Sequence, residues 1–313
     1  MARLPAGLIR VRPPAEPEEI ARAEEKLGRP LPATYASFLR SFDGADLFHE
    51  SIVIAGVGRG ATRALQTLPQ ERPGELVFGE ALWGDRYALA ADGRVLRHDP
   101  GADERAIAGT SFERWLDATV AREQILFGSD GEYAEDVFDP SGQEVTPTIA
   151  LRQAERALKV DPGAADTEHA RGLALVRLGR RDAALAAFRA ASELDANNPW
   201  PLFDLGRTAL ALDKPAVALP AFRQAAAATR EDATAARLLA WAVRAAVAAG
   251  DDEAAGLRRE ALARDPQLVA GLTRAASAAG EDADDEARAE EIALLEAVAP
   301  GTPIPRRLPV LPH

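Results

Sequence analysis

The chain has 313 residues, a length that fits two domains, and its 47% apolar and 27% charged residues are those of an ordinary globular protein. It has no cysteine, which excludes disulfides, thiolate metal sites and a cysteine nucleophile, and no apolar run near the roughly 20 residues of a membrane span. The net charge of -12 is concentrated in the front, where residues 1–145 hold 16 basic and 25 acidic side chains against 21 and 24 in residues 146–313. An acidic front half argues against nucleic acid and membrane surfaces as partners and would attract a basic protein, although solubility alone explains such charge equally well. The opening residues lack an apolar stretch of signal-peptide length, so the expected location is the cytoplasm.

In chain order, Glu16-Pro17-Glu18-Glu19 opens a helix with proline and acids in its first turn. Ile20, Ala23 and Leu27 share its apolar face, and Gly28 ends it. After Arg29-Pro30-Leu31-Pro32, a second helix carries Tyr35, Phe38, Leu39 and Phe42, and Asp43-Gly44 stops it. Strand patterns follow at Ser51–Ile54, Glu75–Phe78, Arg86–Leu89 and Arg94–His98, the last two joined by Ala90-Ala91-Asp92-Gly93, a hairpin signal. Ser111 then caps a helix with Phe112, Trp115, Leu116 and Val120.

The opening two helices, with Leu27-Gly28, Leu31-Pro32, Tyr35, Phe38-Leu39 and Gly44, together with Ser111-Phe112-Glu113-Arg114-Trp115-Leu116, resemble the SUKH superfamily of Smi/Knr-like domains. The resemblance covers roughly residues 13–125 and implies an α+β fold with helices on a mixed sheet. One motif points elsewhere. Ile52–Ile54 followed by Gly56-Val57-Gly58-Arg59-Gly60-Ala61 matches the strand-to-glycine fingerprint of dinucleotide sites. Two helices precede it and no βαβ alternation follows, so it reads as a flexible glycine loop.

Residues 128–147 read as a linker or small hairpin, and a helix follows from Thr148 to Val160. Gly172, Ala184, Phe188 and Ala191 return 34 residues later as Gly206, Ala218, Phe222 and Ala225. A period of this length marks helix pairs that stack on copies of themselves. The spacing resembles tetratricopeptide repeats, which implies an all-α solenoid. Repeats fall near 165–198, 199–232 and 235–268, with Arg258 standing in the aromatic position of the third. A degenerate fourth lies near 269–300, with Glu281–Asp285 as its expected turn, and residues 301–313 form a proline-rich tail. The expected domains are therefore 1–127, the join at 128–147, and 148–300.

No histidine pair has metal-ligand spacing, and no serine elbow, zinc-protease or phosphate-loop motif is present. The expectation is a non-enzyme with no catalytic residues, no metal and no cofactor. The repeat resemblance assigns groove positions to His169 and Arg177 in the first repeat and to Trp200, Phe203 and Arg207 in the second. Trp200, Phe203 and Arg207 are of the types common at interface hot spots, and packing of Trp200 and Phe203 on a neighbouring helix pair is the competing reading. For Trp83 a core and a surface role are equally open, whereas Trp115 and Trp241 are expected in cores. Two functions are compatible with this architecture. One is a toxin-immunity or antitoxin-type binder that masks a protein partner such as a basic toxin domain, as the SUKH resemblance implies. The other is an adaptor that holds a peptide or partner in its repeat groove.

Overall fold

A computed structural model describes residues 7–58, 61–67, 74–99, 104–142, 144–278 and 285–303. The chain divides into two compact units, one of residues 1–183 with 193–195, the other of residues 184–192 with 196–313.

The first unit begins with β1 (Ile9–Val11), α1 (Pro17–Leu27), α2 (Ala33–Ser41), β2 (Ala45–Leu47) and β3 (Ile52–Ile54). It continues with β4 (Gln66–Thr67), β5 (Leu76–Ala81), β6 (Arg86–Leu89), β7 (Val95–Asp99), β8 (Glu104–Gly109) and α3 (Phe112–Glu123). Glu19 in the first turn of α1 accepts from the Glu16 amide at 3.2 Å, and Gly28 ends the helix at φ 67°, where a side chain would be strained. The Ser111 hydroxyl accepts from the Arg114 amide at the start of α3, as the sequence indicates.

The strands run in the order β1-β2-β3-β5-β6-β7-β8, and β4 pairs beside β3 on β5. Every pairing of these strands is antiparallel, which corrects the mixed sheet that the resemblance implies. The cause is the links: β2 to β3, β5 to β6, β6 to β7 and β7 to β8 are joined by four or five residues, whereas parallel pairing needs a crossover of a dozen or more.

Tyr35, Phe78, Phe112 and Trp115 form the centre of the core, with ring centroids 4.9–5.2 Å apart in the Tyr35–Phe112, Phe78–Phe112 and Phe78–Trp115 pairs. The buried Tyr35 hydroxyl donates to the Ala55 carbonyl at 2.6 Å. The aromatic residues of the α2 and α3 motifs are thus what clamps the two helices to the sheet.

The unit does not stop at 127. Leu126, Val137 and Ile149 make a small second core, edged by Phe138 and Val145, which pair across a short antiparallel bridge. Then α4 (Pro147–Val160) packs on α3, and α5 (Ala165–Arg177) packs on β8. Side chains alternate between the faces of a strand. Val95 and Ala108 accordingly join the core beneath α3, while Leu96 and Ile107 form a separate cluster with Ala165 of α5. The β7–β8 end of the sheet is therefore covered on both faces. The covering is polar as well as apolar. Arg97 donates to both carboxylate oxygens of Asp166, at 2.9 and 2.8 Å, and reaches Asp85 at 3.3 Å. Asp161 accepts from the Thr110 amide and hydroxyl at 2.7 and 2.8 Å, and Asp195 accepts from the Ile107 amide at 3.1 Å.

The second unit takes residues 184–192 of α6 (Arg181–Leu194), then α7 (Trp200–Ala211), α8 (Pro215–Ala228) and α9 (Asp232–Ala249). It closes with α10 (Ala254–Arg264), α11 (Leu268–Ala278) and α12 (Asp285–Val298). Each of α7, α8, α9 and α10 packs on the next, as stacked helix pairs do. The small and aromatic repeat positions meet as the spacing requires, since a Cβ added at Gly206 would stand 2.6 Å from the Phe222 ring. Ala184, Ala191, Ala218 and Ala225 are fully buried. Ala218→Leu should overpack the α7–α8–α9 contact and lower stability by about 1–3 kcal/mol in urea unfolding; parental stability would show the repeat register to be wrong. Of the expected acidic turn, residues 281–284 lie outside the described residues, as does most of the tail, and Asp285 begins α12.

Candidate partner-binding site

The five groove residues divide between the units. His169 and Arg177 are on α5 in the first, where Arg177 is exposed and pairs with Glu144 at 2.8 Å. Trp200, Phe203 and Arg207 lie along one face of α7 in the second, at spacings of three and four residues. There the sequence reading is incomplete, because α9 supplies the other half of the cluster. Phe203 sits edge-on to Trp200 at 5.8 Å and edge-on to Trp241 at 5.6 Å, and Trp241 lies 5.5 Å from Phe222. Phe203 therefore packs on the next helix pair, the competing reading given above. Trp115 and Trp241 are core residues, whereas Trp83 is 62% exposed.

Arginines cover this aromatic bed. The Arg207 guanidinium is 5.7 Å from the centroids of both Phe203 and Trp241, and Arg244 is 5.0 Å from Trp241. The ring faces attract these cations, which partly offsets their loss of water. Burial holds the Arg244 pKa below the ordinary arginine range, Glu290 opposes that shift and Arg207 adds to it. Arg207 pairs with Glu290 of α12 at 2.6 Å, and Arg237 of α9 pairs with the adjacent Glu291. Arg237, Arg244, Glu290 and Glu291 are absent from the sequence-derived set. The available signal is Arg237 and Arg244 seven residues apart, two turns along one face of a helix.

The surface of the first unit offers a different feature. Leu82 and Trp83, at the β5–β6 turn, are 78% and 62% exposed, and the Trp83 indole donates to Asp85 at 2.9 Å. The glycine fingerprint is accounted for nearby. Asp43 accepts from the Val57 amide at 2.6 Å and from the Gly58 amide at 3.0 Å, so a carboxylate of the chain itself takes the amides that would face a phosphate. A Cβ at Gly58 would stand 2.5 Å from that carboxylate, and one at Gly56 would stand 2.5 Å from the Asp43 carbonyl. The two glycines permit this close approach, so the loop is pinned at these residues rather than flexible.

Among the described residues, no cluster of three histidine or acidic side chains could hold a metal, and no helix is long and apolar enough to cross a membrane. The groups gathered on α7, α9 and α12 offer fixed charge and aromatic faces.

No curated protein matches the chain. Among solved structures, a crystal structure of MamA is 19% identical, with a TM-score of 0.35 over 49% of this chain and 77% of that one. YrrB, described as a TPR protein with an unusual peptide-binding site, is 21% identical, with a TM-score of 0.35 over 50% and 79%. MamA from residue 41 onward, of Desulfovibrio magneticus RS-1, is 18% identical, with a TM-score of 0.36 over 61% and 97%. With scores this low, the helix-pair architecture rests on the 34-residue spacing and on the contact of Gly206 with Phe222. For the front of the chain the match is direct: residues 14–118, which hold α1, α2, the strands β2 to β8 and the first half of α3, fit the SMI1 / KNR4 family (SUKH-1).

Proposed function

We propose that this protein is a non-enzymatic binder that neutralises a partner protein by masking it, in the manner of bacterial toxin-immunity proteins. The observation that carries this reading is the SMI1 / KNR4 (SUKH-1) match over residues 14–118. The acidic excess of residues 1–145 supports a basic partner such as a toxin domain, because complementary charge raises association rate and specificity. The protein acts stoichiometrically in the cytoplasm, without cofactor, nucleic acid or membrane. The second reading, an adaptor, is favoured by the aromatic and arginine cluster on α7 and α9.

Affinity capture with the full chain from its source cell identifies the partner, and binding kinetics then test the mechanism. A masked basic toxin should associate at least about tenfold more slowly when salt rises from about 50 to about 300 mM, because exposed charges are screened within about 10 Å. Trp83→Ala should weaken that complex by about 2 kcal/mol if the β5–β6 turn is part of the interface. Turnover of the captured protein by this chain would sink both readings.

A further inference from the structure

We propose that the face of α7 and α9 carrying Arg207, Arg237 and Arg244 is a docking surface for an acidic amphipathic helix of a partner protein, with α12 as the chain's own occupant of it. This goes beyond masking by the front domain, since it assigns a second surface and a ligand chemistry.

The starting observation is a departure from the repeat pattern. In a regular stack α11 would follow α9 as the next first helix, yet α12 packs on α9 more extensively than α11 does. The third repeat has Arg258 where an aromatic belongs, and the Arg258 Nε donates to the Ala297 carbonyl at 2.9 Å, satisfying an end carbonyl of α12. Along α12, Glu290 and Glu291 meet Arg207 and Arg237, and Leu294, Leu295 and Val298 are buried one and two turns further on. The helix thus presents two adjacent acids followed by an apolar stripe. Its receptor presents arginines held over aromatic rings.

The fit is replaceable. Arg207 and Arg237 remain 40% and 46% exposed, and ion pairs open to water contribute little net stability. Oε2 of Glu291 is buried and has no hydrogen-bond partner among the described residues, a cost that a better-matched helix would avoid. An incoming helix with the same adjacent acids and apolar stripe would find every α12 contact available, provided that α12 leaves.

The test uses the full chain and, as probe, a fluorescein-labelled peptide of residues 285–300. Leu294→Ala with Leu295→Ala in the chain weakens the resident helix, because both side chains are buried. That variant should bind the peptide at least about tenfold more tightly than the parent, and adding Arg207→Gln with Arg237→Gln should weaken that binding about threefold or more. Hydrogen exchange gives an independent readout, with amides of α12 losing protection in the double variant while α7, α8 and α9 keep theirs. Loss of protection throughout the second unit would make α12 a structural cap and overturn the proposal. So would unchanged protection with no peptide binding, or a dimer that exchanges α12 between copies, detected by light scattering. Peptide failure with partner capture intact sinks this inference alone, and the converse sinks only the masking mechanism.

Discussion

Arg97→Met should destabilise the first compact unit by about 3–5 kcal/mol, the range for breaking a largely buried ion pair from one side. Arg97 and Asp166 are each 21% exposed and Asp85 is 13% exposed, so the substitution leaves two carboxylates mostly out of water without their cation. Burial opposes the charge on Arg97, but Asp166 and Asp85 more than offset it and raise its pKa above the usual arginine value. The measurement is urea unfolding of the full chain, with hydrogen exchange read on β7, β8 and α5 to assign the loss to this unit. Arg97→Met with Asp166→Leu should recover part of the stability, because replacing both members of a buried pair costs less than orphaning one. A single variant within about 1 kcal/mol of the parent would mean that the apolar contact of Leu96, Ile107 and Ala165 holds α5 in place by itself. A fragment ending at residue 127 should suffer more, since it also loses Asp161, Asp195 and the whole of α4 and α5.

Phe222→Ala should cost the second unit about 3–5 kcal/mol, as expected for emptying a fully buried aromatic position. Phe222 fills the space that Gly206 leaves open and touches Phe203 and Trp241, so its loss removes contacts with α7 and α9 together. Exchange protection should fall across α7, α8 and α9 while the sheet of the first unit stays protected. A loss confined to α8 would show that the helix pairs are held mainly by their alanine contacts.

Particular residues explain how much of this was legible in the sequence. Tyr35, Phe38, Phe112 and Trp115 announce the core because their types and spacings are rare in combination. Gly206 and Phe222 announce the repeat for the same reason. The short strands β1 and β2 were illegible, since three residues such as Ile9–Val11 carry no period. Strand β8 was hidden because Glu104–Gly109 holds a single branched residue, Ile107, and no aromatic one. The extent of the first unit was hidden for another reason. Asp161 and Asp166 pair with Thr110 and Arg97, which lie 51 and 69 residues away, beyond the reach of any local pattern. Long-range pairing also hid half of the candidate site: Trp200, Phe203 and Arg207 share one helix, but Trp241, Arg244 and Glu290 reach it from α9 and α12. Arg258 was visible as an anomaly, but its meaning needed the position of α12.

The clamp of α5 on β7 and β8 also sets a timetable for synthesis. Arg97 leaves the ribosome 69 residues before Asp166. At roughly 5–20 residues per second, that gap is about 3–14 s. During it the last two strands can pair, but Leu96 and Ile107 have no helix over them and Arg97 has no carboxylate from α5. An apolar sheet face left open for seconds invites pairing with other chains, so a slowly translated message should yield more aggregate from this protein than a rapidly translated one.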